Sequence, residues 1–161
     1  LVMALKGVPA FYLPALLASE NDIKSFSMTG QRRDLNREKF KSENLSAVLN
    51  NPESNANKNL KYLRNAMDVR SELKQFHPCS QMKCLSKGRS DIVVIKRGKG
   101  PESVFAIHNM TENKINYQLN DNDLPKIIDN DFNTHDFLTS TKYNCKNISL
   151  DPFQVIWLSA L

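Results

Sequence analysis

Gly7-Val8-Pro9-Ala10-Phe11-Tyr12 is the stretch on which the fold turns. It is a short apolar run without polar alternation, and Pro14 closes it. Runs of this kind read as strands buried on both faces, the habit of parallel sheets in barrels and α/β cores. Such a strand needs a neighbour on each side. No further strand of that kind follows before the chain changes character at Pro78, so the partners are expected in sequence that precedes Leu1. Leu1 is not an initiator methionine, and residues 1–5 lack the charged start and the length of a signal peptide. The chain is therefore expected to be part of something larger.

Downstream of this run the periodicity disappears from Ala18 to Lys41, and a long polar loop is expected there. Residues 42–50 read as a short helix capped by Ser42. Asn51-Pro52 then reads as the cap and first turn of a longer helix. Leu60, Leu63, Met67, Arg70 and Leu73 fall near one stripe at steps of three and four, widened by Ala66, Val69 and Phe76, and the helix should end before His77-Pro78.

After Pro78 the pattern turns to strands: Met82 to Leu85, Ile92 to Ile95, Val104 to Ile107, Ile115 to Leu119 and Phe153 to Leu158. Gly98-Lys99-Gly100-Pro101 and Thr111-Glu112-Asn113 are short enough to make antiparallel hairpins on either side of the third run. Residues 120–147, rich in Asp and Asn, read as an irregular excursion. The expected organisation is two-part. Residues 1–78 hold a buried strand, a polar loop and helices in an α/β setting, and residues 79–161 form a small antiparallel, all-β domain.

The 161 residues are 40% hydrophobic and 24% charged, which excludes collagen-like, low-complexity and wholly disordered chains. The apolar stretch Val8 to Ala18 is broken by two prolines and is far short of the roughly 20 residues that cross a bilayer. No membrane partner is expected. The net charge of +5 comes from 22 basic and 17 acidic residues mixed along the chain, so it points no more to nucleic acid than to a small phosphate-bearing ligand. Cys79, Cys84 and Cys145 cannot all pair within one molecule and lack a zinc-knuckle spacing, which favours a reducing, cytoplasmic compartment.

In α/β barrels and open sheets, ligands bind at the carboxyl ends of strands, so the loop after Tyr12 is the first place to look for chemistry. It holds Asn21-Asp22, Arg32, Arg33, Asp34, Asn36 and Arg37. Guanidinium forks suit phosphate, carboxylate or vicinal hydroxyls, and Asn and Asp complete the equipment for a sugar. The plainer reading is a solvated charged loop with local ion pairs such as Arg33 with Asp34 or Glu38. His77, His108 and His135 are scattered, with no acidic partner at a metal-ligand spacing. No metal and no cofactor are expected. Trp157 and Phe153 suit either an aromatic sugar platform or the core of a closing strand. No Gly-rich phosphate loop, G-x-S-x-G or H-E-x-x-H pattern occurs.

Gly7 to Tyr12, Ala15-Leu16, Asn21-Asp22, Thr29-Gly30 and Arg33-Asp34-Leu35-Asn36-Arg37-Glu38-Lys39 resemble, in order and spacing, the segment around the last barrel strand of the sucrose phosphorylase and glucosylglycerate phosphorylase group of glycoside hydrolase family 13, in the α-amylase superfamily. The closing Leu150 to Leu158 is similar to the final strand of the C-terminal β domain in that group. The resemblance implies the last strand, loop and helix of a TIM (β/α)8 barrel followed by a β domain. It also implies a retaining double displacement. A barrel Asp and Glu carry it out on an α-glucoside, and inorganic phosphate takes the glucosyl unit to give α-glucose 1-phosphate, with the carboxylates about 5 Å apart. Those carboxylates belong to earlier strands, so no catalytic residue is assigned in this chain. Arg37 inherits the donor-sugar contact, with Arg33, Asp34 and Asn36 shaping the subsite. A carbohydrate-binding β module, an amylase-type hydrolase fragment and a basic nucleic-acid binder are the alternatives.

Overall fold

A computed structural model of the chain describes residues 1–36, 40–86, 88–120, 122, 124 and 133–159. They divide into two compact units, Ala10–Met67 and Leu1–Pro9 with Asp68–Leu161.

The first unit is helical. Its elements are α1 (Leu13–Leu16), α2 (Ile23–Thr29), a 3-10 turn at Arg32–Asn36, α3 (Ser42–Asn50) and the larger part of α4 (Asn55–Glu72). Val8 to Tyr12, expected as a buried strand, forms none, and Val8 is 80% exposed. Pro9 has no N–H to give a ladder, and no strand lies beside this segment among the described residues, so an extended run here has nothing to pair with. Nor is the span from Ala18 to Lys41 structureless. Asp22 starts α2, its carboxylate accepting from the Ser25 N–H at 2.9 Å, and Gly30 ends it in the left-handed region at φ 66° with its N–H on the Phe26 carbonyl. A seven-residue helix without a broad apolar stripe leaves no periodicity to read.

Both later helices form, with different caps, but the second is shorter than expected: it ends at Glu72, and Phe76, placed on its stripe by spacing, lies in a separate 3-10 turn, Lys74–Phe76. Ser42 is the first helical residue of α3 rather than its cap, and Lys41 precedes it with no side-chain bond. Asn51 makes a local turn, its Oδ1 accepting from the Glu53 N–H at 3.0 Å, and Ser54 Oγ accepts the Asn57 N–H at 3.1 Å to open α4. Along α4, Ala56, Ala66 and Arg70 are buried, whereas Met67, placed on the apolar stripe by its spacing, is exposed.

The second unit is built on an antiparallel sheet in the order β1 (Met82–Cys84), β2 (Ile92–Arg97), β3 (Val104–Asn109) and β8 (Val155–Ser159). The β2–β3 hairpin turns through Gly98 to Pro101, as expected. The second expected hairpin does not form: β3 pairs with β8, Ala106 opposite Trp157, while β4 (Ile115–Tyr117) pairs with β7 (Ile148–Leu150). Asn109 redirects the chain. Its Oδ1 accepts the Thr111 N–H at 2.9 Å, and its Nδ2 donates to the Asn113 and Asp151 carbonyls at 2.7 and 2.8 Å. Within the excursion the described residues form one more ladder, β5 (Asn133–His135) with β6 (Lys142–Asn144).

One face of the main sheet and the β4–β7 ladder enclose an apolar core of Ile92, Val94, Phe105, Ile107, Leu119, Cys145, Ile148, Leu150, Ile156 and Leu158. The other face is also covered. Trp157 lies against Phe76 with ring centroids 4.5 Å apart, and the guanidiniums of Arg70 and Arg97 sit 5.4 and 5.6 Å from the Phe76 ring. With both faces buried, β3 loses polar alternation and is buried at every position.

Arg70 and Arg97 are buried cations that meet carbonyls rather than carboxylates. Arg97 Nη1 donates to the Ala4 carbonyl at 3.2 Å, Nη2 to His77 at 2.9 Å and Nε to Gln75 at 3.2 Å. Arg70 donates to the Gly7 carbonyl at 2.8 Å and to that of Met3. Desolvation lowers both pKa values, and for Arg97 the neighbouring Arg70 charge adds to the effect. Together the two guanidiniums fasten the segment from Met3 to Gly7, Arg97 to β2 of the sheet and Arg70 to the end of α4.

Candidate functional site

The R-D-L-N stretch is positioned from its N-terminal side. Asp22 anchors it twice, bonding Ser25 Oγ at 2.6 Å through its side chain and the Leu35 carbonyl at 2.8 Å through its own N–H. Gly30 then reverses the chain into the Arg32–Asn36 turn, where the Asp34 N–H meets the Gln31 carbonyl at 2.9 Å. Thr29 Oγ1 lies 2.5 Å from Asp34 Oδ2 and 3.0 Å from the Ser25 carbonyl. A hydroxyl has one proton, and the nearer, charged acceptor takes it.

Asp34 is therefore held by Thr29. The ion pair expected with Arg33 is at most marginal, with Nε 4.0 Å from Oδ1 and the Arg33 side chain 65% exposed. Among the described residues the Arg33 fork meets no closer acceptor, and Asn36 is exposed at the end of the same turn; Glu38, the other partner expected for Arg33, lies outside the described residues. Three of the four residues singled out in the sequence, Arg33, Asp34 and Asn36, thus share one short turn. Arg37 lies outside the described residues. Sequence reasoning missed the role of Thr29, although its place just before a helix-ending Gly30 is a signal that it faces the following turn. The duty of Asp22, unassigned from the sequence, is to cap α2, and Ser25 three residues on is the readable sign of that.

The turn offers planar and amide donors beside a fixed acceptor, which is equipment for hydroxyl or phosphate groups; it holds no nucleophile paired with a base. Among the described residues no group of three or more His, Cys, Asp or Glu could hold a metal ion. The histidines are dispersed: His77 Nδ1 accepts the Cys79 N–H at 3.2 Å, His135 edges onto Phe137, and His108 is buried in β3. Burial pushes the His108 pKa down to about 3. Burial of Phe105 and Trp157 makes them core residues of the sheet, leaving Phe153 as the exposed aromatic near the end of the chain.

No protein-family model matches the chain. A glucosylglycerate phosphorylase of Allomeiothermus silvanus is 32% identical over 112 residues, covering 70% of this chain and 20% of that protein. This chain is a homologue of part of the glucosylglycerate phosphorylases. A second such phosphorylase, from Escherichia coli, is 20% identical over 158 residues, 98% of this chain and 26% of that protein. The chain thus spans between a fifth and about a quarter of the length of the glucosylglycerate phosphorylases it matches. Among solved structures, an Anoxybacillus α-amylase aligns with 98% of this chain and 30% of its own at a TM-score of 0.64 and 15% identity, a likeness of fold. The resemblance to the phosphorylase group of glycoside hydrolase family 13 stands, and carbohydrate-active enzymes surround the chain on both comparisons. Among the described residues no helix is long and apolar enough to cross a membrane.

Proposed function

We propose that the chain is the C-terminal part of a retaining α-glucoside phosphorylase that transfers a glucosyl unit to inorganic phosphate, giving α-glucose 1-phosphate. The observation that carries this reading is the 32% identity to a glucosylglycerate phosphorylase over 112 residues, 70% of this chain. In the parent enzyme residues 1–78 complete the (β/α)8 barrel and residues 79–161 form the β domain. The Val8 to Tyr12 segment takes up its strand when neighbouring barrel strands are present to pair with it. Arg37 contacts hydroxyls of the donor glucose. Arg33 and Asn36 border that subsite, and Asp34, fixed by Thr29, sets the shape of the turn that presents them. The catalytic carboxylates are supplied by earlier strands, and the three free cysteines fit a cytoplasmic enzyme.

A phosphorolysis panel on the parent protein with sucrose, sucrose 6-phosphate and glucosylglycerate tests this reading, with α-glucose 1-phosphate as the product measured. Glucosylglycerate is the expected best substrate, and hydrolysis to free glucose without phosphate dependence would replace the reading by an amylase-type hydrolase. Arg37→Ala should lower kcat/KM by about 10- to 150-fold, the worth of one hydrogen bond from a charged group. Arg37→Lys should recover little, because a point charge does not reproduce the fork. Unchanged efficiency in either variant would remove Arg37 from the subsite. The isolated 161-residue chain should release no α-glucose 1-phosphate.

A further inference from the structure

The β unit carries an open cavity of about 470 Å3 whose walls come from β4 and the residues after it, from Leu85, Ser86 and Arg89, and from the turn into β7. Its floor is rigid. Asn116 and Tyr117 are paired with Ser149 and Ile148 in the β4–β7 ladder, and the Leu119 N–H meets the Cys145 carbonyl at 3.0 Å. Leu119, Cys145 and Ile148 are fully buried in the apolar core below, so the groups above them cannot shift without disturbing it. On this floor stand four amide side chains, Asn116, Gln118, Asn120 and Asn147, all exposed.

Each amide supplies two donors and a carbonyl acceptor, and hydroxyl groups on adjacent ring carbons require that mixture of donor and acceptor. Arg89 adds to it. Its Nε and Nη2 grip Asp91 at 2.9 and 2.5 Å, which leaves three of the five N–H groups of a guanidinium outside that pair. The guanidinium lies 5.6 Å from the centre of the half-buried Tyr117 ring, so the ring and the fork form one continuous wall. Asp91 matches the charge of Arg89. Although Lys146 also borders the cavity, the lining is dominated by neutral groups, and recognition here rests on hydrogen-bond geometry rather than on net charge.

We propose that this groove binds a neutral, hydroxyl-rich saccharide unit. Nothing in the R-D-L-N-R reading requires it, and it stands or falls separately from the phosphorylase assignment. Amide-resolved NMR titration of the 161-residue chain with maltose tests it, with inorganic phosphate as a second arm. Saturable shifts are expected at residues 116–120 and at Asn147, with a millimolar midpoint. The double variant Asn116→Ala with Asn147→Ala should raise that midpoint by about tenfold, the loss of one to two hydrogen bonds. Emission from the buried Trp157 reports whether the variant keeps the native β unit, and Gln118→Ala alone serves if it does not. The proposal is overturned by shifts that do not saturate, by a midpoint unchanged in these variants, or by phosphate reproducing the shifts where maltose does not.

Discussion

Phe76→Ala is the sharpest test of the second face of the sheet. The ring is 2% exposed, packs on Trp157 at 4.5 Å and has the guanidiniums of Arg70 and Arg97 at 5.4 and 5.6 Å from its centre. Removing a buried phenyl ring costs about 3–5 kcal/mol through lost transfer and the cavity left behind. Tight neighbours argue against collapse into that cavity: Arg97 is pinned by three carbonyls, and Trp157 by its pairing with Ala106 on β3 and by its backbone N–H bond to Asp136. A loss near about 4 kcal/mol is expected, and at a urea m-value of about 2 kcal/mol/M it moves the midpoint down by about 2 M. Trp157 is the sole tryptophan of the chain, so its fluorescence follows the unfolding of this unit alone. A midpoint lowered by less than about 0.5 M, at unchanged m, would mean that Phe76 does not cover the sheet, and the account of β3 buried on both faces would fail with it.

Three further outcomes follow from the same unit. His108 titrates near its ordinary value of 6.5 when unfolded and at about 3 when folded, so the unfolded chain binds the extra proton first. Stability contributed by the neutral imidazole is complete above 6.5 and declines as pH falls toward 3, by up to about 1.4 kcal/mol per unit; in urea titrations at stepped pH, His108→Leu should flatten that slope, and an unaltered slope would contradict it. Burial pushes the Cys145 thiol up to about 12, whereas Cys79 and Cys84 are exposed. Iodoacetamide at pH 8 should therefore label Cys79 and Cys84 and spare Cys145 until the chain is unfolded, read by peptide mass mapping. Asp136 is fully buried and accepts from the Trp157 N–H at 2.7 Å, the Leu138 N–H at 3.2 Å and Thr139 Oγ1 at 2.7 Å. Asp136→Ala strands those donors, with a cost of about 2–4 kcal/mol in the same urea assay; a cost below about 0.5 kcal/mol would show that water replaces the carboxylate.

What could be read from the sequence follows from which interactions are local. β2, β3 and β8 announce themselves as apolar runs because both faces of their sheet are covered. Val8 to Tyr12 has the same composition and forms no strand, since composition records a preference and a strand needs a neighbour. The pairing of β3 with β8 was hidden for a related reason: it depends on Asn109 bonding a carbonyl 42 residues away. The site shows the same division. The family resemblance marked out Arg33, Asp34 and Asn36, but a choice between ion pair and hydroxyl bond at Asp34 needed the reversal at Gly30. Arg97 sits in an apolar strand and gave no sign that it would meet backbone carbonyls.

The guanidinium fastening of residues 3–7 has a consequence for synthesis. The Ala4 carbonyl waits for an arginine 93 residues later in the chain, an interval of about 5–20 s at ribosomal rates. Throughout it, Met3 and Ala4, which end fully packed, have no sheet to pack on. Residues 3 and 4 thus settle only after Arg97 has been made. Slower translation between Gly7 and Arg97 lengthens the time the Met3–Gly7 segment is open to chaperones and proteases, and the two arginines act as the latch that ends it.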